Sequence, residues 1–183
     1  DAFAEKLSAA VQKLAIGDGL KTGTTTGPLI NESAVEKVQE HIADVLASGG
    51  KILTGGKRHA LGGTFFEPTV VTGVLPTAKV ATEETFGPLA PLFKFDTEEE
   101  IIALANDTIF GLASYFYARD IGRITRVQEA LEYGMVGINV GILATEHVPF
   151  GGVKQSGLGR EGSHHGMDDY VEIKYLCVGD ILK

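Results

Sequence analysis

The sequence contains little of what secreted and membrane proteins depend on. One cysteine is present, which rules out a disulfide framework within the chain. No apolar run approaches the roughly 20 residues that span a bilayer, and no stretch resembles a signal sequence. We therefore expect a cytoplasmic protein that has no membrane partner.

Positive charge is also scarce. Lys and Arg number 16 against 24 Asp and Glu, the formal net charge is -8, and the pI lies near 5.1. No local basic patch offsets this balance, so nucleic acid and anionic membrane surfaces are not expected as partners. What is present is a globular composition, with 44% hydrophobic and 22% charged residues over 183 positions, enough for one domain with a sizeable core.

Helical periodicities alternate with short β-type runs along the chain. Helices are predicted over residues 3–14, 35–46, 101–105 and 124–131, and strands over 51–54, 65–71, 89–95, 112–117 and 135–139. Asn31 or Ser33 can cap the second helix, and Asp120 can cap the fourth. Thr97 and Glu100 form a capping box for the third. This alternation predicts an α/β layered structure with an at least partly parallel sheet.

Two of the β-type runs carry further predictions. Pro68 lies within the run 65–71, and because proline is confined to edge positions in sheets, we expect an edge strand there. Residues 170–176 alternate apolar and charged side chains, which is typical of a strand with one face in water. This last strand has no partner left in its own chain, so we expect another subunit or another domain to pair with it.

Three features suggest binding or catalysis, but their context favours structural roles. GLGREG at residues 157–162 matches the G-x-G-x-x-G pattern of dinucleotide sites, yet no apolar strand leads into it and too few residues follow for a βαβ unit. We expect a tight loop and a short helix. Adjacent His164 and His165 diverge on any regular element, so we expect surface histidines and no metal site. Cys177 lies in the terminal β-type run, away from any helix start, so we expect a structural thiol.

Two motifs that lie far apart point to a family. EETFGP at residues 83–88 places two carboxylates, an aromatic ring and a Gly-Pro turn ahead of an apolar strand, where α/β proteins present side chains to a ligand. PFGGVKQSGLGRE follows at residues 149–161. In this order the motifs resemble the carboxy-terminal part of the aldehyde dehydrogenase superfamily, and the resemblance covers essentially all 183 residues. It is closest to the succinate-semialdehyde and glutarate-semialdehyde dehydrogenases.

The resemblance implies an α/β, layered aldehyde-dehydrogenase-like catalytic domain that is only partly present. Residues 1–153 would be the carboxy-terminal half of that domain. Residues 154–183 would be a loop, a helix and an oligomerisation strand that joins copies into a homo-oligomer. The family's amino-terminal cofactor domain, nucleophilic cysteine and general-base glutamate would precede Asp1. We therefore expect a fragment that carries no catalytic residue of its own.

The resemblance also implies NAD or NADP as cofactor and assigns binding residues. Glu84 would accept hydrogen bonds from a ribose, and Phe86 would lie against the ribose or nicotinamide. The loop of residues 139–150 matches the family's substrate-entry loop, so Ala144, Thr145 and Phe150 would contact a small-molecule aldehyde. Ala144 stands where the semialdehyde enzymes have a carboxylate-binding serine, which leaves Thr145 as the neighbouring hydroxyl.

The implied activity is oxidation of a short dicarboxylic semialdehyde to the dicarboxylic acid, with succinate semialdehyde as the leading candidate substrate. In the family a cysteine thiolate adds to the aldehyde, the thiohemiacetal gives up hydride, and glutamate-activated water hydrolyses the thioester. NAD and NADP, four- and five-carbon substrates, and dimer and tetramer all stay open alternatives. A second hypothesis is a non-catalytic binding or assembly module, or a pseudoenzyme that keeps the fold. A cysteine in a Gly/Gln-rich segment upstream of Asp1 would favour the enzyme.

Overall fold

The computed structural model describes residues 1–180, which form two compact units. The first unit is Asp1–Phe95, and the second begins at Asp96. This division does not coincide with the predicted boundary after residue 153, since residues 154–180 group with the second unit. The predicted domain organisation stays a prediction about a longer protein. Within residues 1–180, no helix combines the length and the apolar character needed to cross a bilayer.

The first unit joins three helices to a three-stranded sheet. Its elements are, in chain order, α1 (Ala2–Val11), α2 (Glu32–Ala47), β1 (Lys51–Thr54), β2 (Thr69–Thr72), α3 (Lys79–Thr82) and β3 (Leu89–Leu92). The strand order is β1-β2-β3, with β1 antiparallel and β3 parallel to β2. The predicted α/β class and partly parallel sheet are confirmed.

The central position of β2 shows that the prediction of an edge strand at Pro68 was wrong. The strand begins at Thr69, one residue after the proline, so the missing proline amide removes no bond from the ladder. Pro91 lies within β3 instead. Because β3 is at the edge of this sheet, proline is tolerated there.

Helix α2 supplies much of the buried surface of the first unit. Asn31 caps it by accepting a hydrogen bond from the Ala34 amide at 3.0 Å, so one of the two predicted caps is confirmed. Its buried side chains recur at helical spacing: Val35, Val38, His41, Ile42 and Val45. Val35, Val38 and Ile42 pack with Phe66, and Val45 packs with Val71 of β2. Helix α1, by contrast, ends at Val11 rather than at the predicted Leu14, and none of its residues is fully buried within residues 1–180.

The second unit combines two helices with a two-stranded parallel sheet. Its elements are α4 (Glu98–Asn106), β4 (Ala113–Phe116), α5 (Ile121–Ala130), β5 (Met135–Ile138) and two 3-10 helices, Lys154–Ser156 and His164–Tyr170. Both predicted caps are confirmed. The Thr97 hydroxyl accepts from the Glu100 amide at 3.1 Å, and the Asp120 carboxylate accepts from the Arg123 amide at 2.6 Å. The Glu100 carboxylate accepts from the Asp96 amide, at 2.8 Å, one residue earlier than an ideal capping box requires.

Residues 171–180 form no strand, so the predicted terminal strand is not confirmed. Ile173 is 100% exposed and Tyr175 is 85% exposed. A β-ladder requires a second strand, and the two sheets of the described residues involve only β1 to β5. Cys177 lies in this segment and is exposed as well. Residues 170–176 therefore have the alternating apolar and charged pattern of a strand, but residues 1–180 contain no strand that pairs with them.

Candidate functional site

Residues 83–88 connect α3 to β3. The backbone of Glu83 is extended, with φ -101° and ψ 130°, and burial alternates from residue 83 to residue 86, as it does where successive side chains point to opposite sides. Glu83 and Thr85 turn toward α2, where both contact His41. Glu84 and Phe86 are exposed, the phenylalanine at 78%. The segment therefore has an inner face that contacts α2 and an outer face that is open within this chain.

Two side chains one turn apart on α2 bind the inner face. The Lys37 ammonium pairs with the Glu83 carboxylate, and His41 Nε2 lies 3.3 Å from the same carboxylate oxygen. His41 Nδ1 lies 2.5 Å from Thr85 Oγ1. Because an ionised carboxylate only accepts hydrogen bonds, Nε2 carries a proton and donates a hydrogen bond to Glu83. The hydrogen bond from Lys37, and then that from His41, lower the pKa of Glu83 because both favour the ionised form.

Burial and close packing hold this arrangement in place. His41 is completely buried, and a buried polar group that loses its partner costs about 1–3 kcal/mol, so the two contacts of the ring matter for stability. Gly87 lies against the same helix, since a Cβ at this position would collide with the Val38 side chain. Only glycine allows the backbone to approach α2 this closely.

The predicted cofactor residues, Glu84 and Phe86, thus lie together on the outer face of residues 83–88. An exposed carboxylate can accept hydrogen bonds from two hydroxyl groups, as a ribose diol offers. An exposed aromatic ring presents an apolar face to a flat ligand. The arrangement therefore suits a nucleoside ligand, and the assignment of these residues stays a prediction.

The predicted substrate loop follows β5 in the second unit. It begins at Asn139, whose backbone is left-handed with φ 58°. Ala144 and Thr145 are exposed within it, and the Thr145 hydroxyl donates to the Glu146 carboxylate at 3.4 Å. At its end, half-buried Phe150 exchanges both backbone hydrogen bonds with Glu161, at 2.8 and 2.7 Å. The loop is therefore fixed at its base, and the roles of its side chains stay predictions.

The glycine-rich residues 157–162 form a loop between the two 3-10 helices, as predicted. Gly157 and Gly159 have φ values of 101° and 83°, which other residues rarely adopt. Arg160 Nη1 donates to the carbonyls of Gly152, at 2.8 Å, and of Gly159, at 2.7 Å. A cavity of about 430 Å³ borders this loop. The Arg160 side chain thus links the carbonyl of Gly152 to the carbonyl of Gly159 in the glycine-rich loop.

His41 is the residue that sequence reasoning missed. It follows Val38 by three residues and precedes Val45 by four, so it falls on the apolar face of α2. A histidine on such a face must find hydrogen-bond partners when the helix packs. Its position in the apolar stripe was therefore a usable signal, although its partners lie more than 40 residues away.

The remaining candidates lie at the surface. His164 and His165 are both exposed, as predicted, and His165 Nδ1 lies 3.1 Å from the Asp168 carboxylate. Cys177 is exposed in a stretch without helix or strand, so the prediction of a structural thiol is not confirmed within residues 1–180. Within residues 1–180, no three His, Cys, Asp or Glu side chains come close enough together to hold a metal ion.

Comparison with known proteins defines the class. Residues 1–176 match the aldehyde dehydrogenase family, and the chain belongs to that family. Glutarate-semialdehyde dehydrogenase of Pseudomonas aeruginosa is 64% identical, and the match covers 99% of this chain and 38% of that protein. Succinate-semialdehyde dehydrogenase (NADP+) GabD of Escherichia coli is also 64% identical, over 98% of this chain and 37% of its own length.

A solved structure agrees with these relatives. The crystal structure of succinate-semialdehyde dehydrogenase from Burkholderia pseudomallei matches with a TM-score of 0.96 and 71% identity. That match covers 97% of this chain and 37% of the other chain. The aldehyde-dehydrogenase-like α/β fold is therefore confirmed. The chain spans less than two fifths of the length of the relatives it matches.

Proposed function

We propose that this chain is the carboxy-terminal portion of an NAD(P)-dependent aldehyde dehydrogenase that oxidises a short dicarboxylic semialdehyde. Succinate semialdehyde is the leading candidate substrate. The observation that carries the proposal is the two-faced segment 83–88. Contacts from α2 hold its inner face and leave Glu84 and Phe86 on the outer face. The names of the relatives support the reaction class and the group of substrates.

Glu84 and Phe86 suit two parts of the proposed cofactor. The Glu84 carboxylate would accept the hydrogen bonds of a ribose, while the Phe86 ring would limit where the neighbouring nicotinamide can go. Once bound, NAD or NADP supplies the hydride acceptor. Hydride transfer requires that acceptor at van der Waals distance from the substrate carbon, so residues that bind the cofactor there would contribute to kcat/KM for the cofactor. The name of the Escherichia coli relative includes NADP+, which supports this class of cofactor.

The proposed substrate group rests on the relatives and on the loop 139–150. At equal identity of 64%, one relative is named for glutarate semialdehyde and the other for succinate semialdehyde, so both chain lengths are proposed. Thr145 would supply a hydroxyl for the distal carboxylate, and Phe150 would line the path of the aldehyde. Ala144 supplies no donor, which leaves the loop with one hydroxyl fewer than a serine there would give.

The 183 residues alone are expected to be inactive. Their single thiol, Cys177, is exposed and lies beyond the last 3-10 helix, away from any helix start that would stabilise a thiolate. The nucleophile and base would come from the rest of the enzyme. We further propose a cytoplasmic homo-oligomer in which residues 170–176 pair with a strand of a neighbouring copy.

The test begins with the coding sequence upstream of Asp1 and ends with activity. The full-length protein is assayed with NAD+ and NADP+ against four- and five-carbon semialdehydes and simple alkanals. An upstream cysteine in a Gly/Gln-rich segment, with faster oxidation of the semialdehydes, supports the proposal. A full-length protein that reduces neither cofactor with any aldehyde overturns it and favours the non-catalytic module. Aldehyde-dependent reduction by the 183 residues alone would contradict the assignment of the chemistry to the rest of the enzyme.

A further inference from the structure

Two adjacent glutamates open the segment 83–88, and they face opposite ways. Glu83 contacts α2, and Glu84 is exposed. A shift of one residue in an extended chain exchanges its two faces, because side chains alternate. Glu83 and Glu84 have the same chemistry, so their carboxylates alone do not determine which of them turns outward.

His41 distinguishes the two registers. Its ring nitrogens contact residues two positions apart, Glu83 through Nε2 at 3.3 Å and Thr85 through Nδ1 at 2.5 Å. After a shift of one residue, Phe86 would take the place of Thr85, and its ring has no group to bind Nδ1. Lys37 does not discriminate in this way, because its ammonium would pair with either carboxylate.

The surroundings of His41 make this discrimination effective. The ring is 0% exposed, so water cannot replace a lost partner as it would at the surface. Gly87 imposes the same register independently, since it is the position that lies against Val38 and has no room for a Cβ. After the same shift, Pro88 would meet Val38 with a full ring.

We propose that His41 is a positioning residue for the nicotinamide cofactor, because it holds residues 83–88 in the register that turns Glu84 and Phe86 outward. This inference rests on the proposed function, in which those two side chains contact the cofactor. His41 lies on the inner face and does not touch the cofactor itself. Its loss should therefore weaken cofactor binding and leave the chemical step nearly intact.

The test is direct binding of NADH and NADPH to the full-length protein, followed by fluorescence, for His41→Leu, Thr85→Val and Thr85→Ser. We expect His41→Leu and Thr85→Val to raise the Kd about tenfold, which corresponds to about 1.4 kcal/mol. Thr85→Ser keeps the hydroxyl and should bind like the unaltered protein. The cofactor KM should rise in parallel, while kcat at saturating cofactor changes less than about threefold.

Val45→Ala is the control for lost stability. Val45 is 1% exposed and packs with Val71 and Val74 in a cluster apart from His41, so its truncation should lower Tm and leave the Kd unchanged. If Val45→Ala also raises the Kd for NADH or NADPH, the effect follows lost stability in general, and the positioning role of His41 is overturned. If His41→Leu does not fold, Thr85→Val decides, because Thr85 is only half-buried.

Glu84→Gln and Phe86→Ala separate this inference from the proposed function. If they weaken cofactor binding while His41→Leu and Thr85→Val bind normally, the register inference is wrong and the proposed function stands. If Glu84→Gln and Phe86→Ala bind normally as well, the assignment of the cofactor site to these two residues fails and the inference fails with it, whereas the activity of the full-length protein still tests the proposed reaction.

Discussion

Asn139 is joined to the backbone of Ala118 by both ends of its side-chain amide. Its Oδ1 accepts from the Ala118 amide at 3.0 Å, and its Nδ2 donates to the Ala118 carbonyl at 2.8 Å. Asn139 is also left-handed, with φ 58°, a conformation that asparagine tolerates better than most residues. This pair of bonds fixes the start of the loop 139–150 against the chain that follows β4.

Asn139→Ala should therefore destabilise the full-length protein. We expect a loss of about 2–3 kcal/mol in the free energy of unfolding, from two hydrogen bonds of about 1 kcal/mol each and about 1 kcal/mol of backbone strain. Asn139→Gly removes the same bonds without the strain, so its loss should be smaller. Urea unfolding of both variants measures the difference. Equal losses would show that the left-handed backbone contributes nothing.

Gly87→Ala should be destabilising because its methyl group meets the Val38 side chain. Overpacking of this kind costs about 1–3 kcal/mol. Gly27→Ala is the matched control, since nothing lies within 4 Å of a Cβ at Gly27. In the double variant with Val38→Ala, the added methyl group enters the space left by valine. The loss of unfolding free energy in the double variant should therefore be smaller than the sum of the losses in the two single variants. Strict additivity would mean that the two side chains do not meet.

The stability contribution of Glu83 should depend on pH. Lys37 and His41 lower its pKa below the usual value of 4.5, so ionised Glu83 contributes stability above that value. The contribution is lost as the pH falls through the lowered pKa of the folded protein. The difference in unfolding free energy between the unaltered protein and Glu83→Gln should thus be largest near neutrality and shrink in acid. Glu36→Gln, an exposed change on the same helix, supplies the baseline, and a gap that grows in acid would contradict this assignment.

Ala144→Ser should improve use of dicarboxylic semialdehydes if the loop 139–150 binds the distal carboxylate. One hydroxyl that donates to a carboxylate contributes about 1.5–3 kcal/mol, so the KM for succinate semialdehyde should fall by about tenfold or more. The KM for a simple alkanal should not change. Thr145→Val tests the neighbouring hydroxyl and should raise only the KM for the acidic substrates. An equal effect on both substrate classes would place these residues away from the carboxylate.

Much of the local structure follows from residues close together in the chain. The caps Asn31, Thr97 and Asp120 each bind an amide three residues later, so their pattern is complete within one turn of sequence. The strand 170–176 was not confirmed because a strand requires a partner that residues 1–180 do not supply. The edge assignment at Pro68 failed for a similar reason, since the order of strands is a property of the sheet.

The sequence by itself determined the α/β class, the family and the motif 83–88, which contains Glu84 and Phe86. Only the tertiary structure decided which glutamate of the adjacent pair faces outward. That choice depends on His41, which lies 42 residues from Glu83 and 44 from Thr85 in sequence. Because side chains alternate, neighbouring residues of the segment face opposite ways whatever its register. Which of them faces inward depends on packing against α2, because an imidazole without a partner is costly only when it is buried.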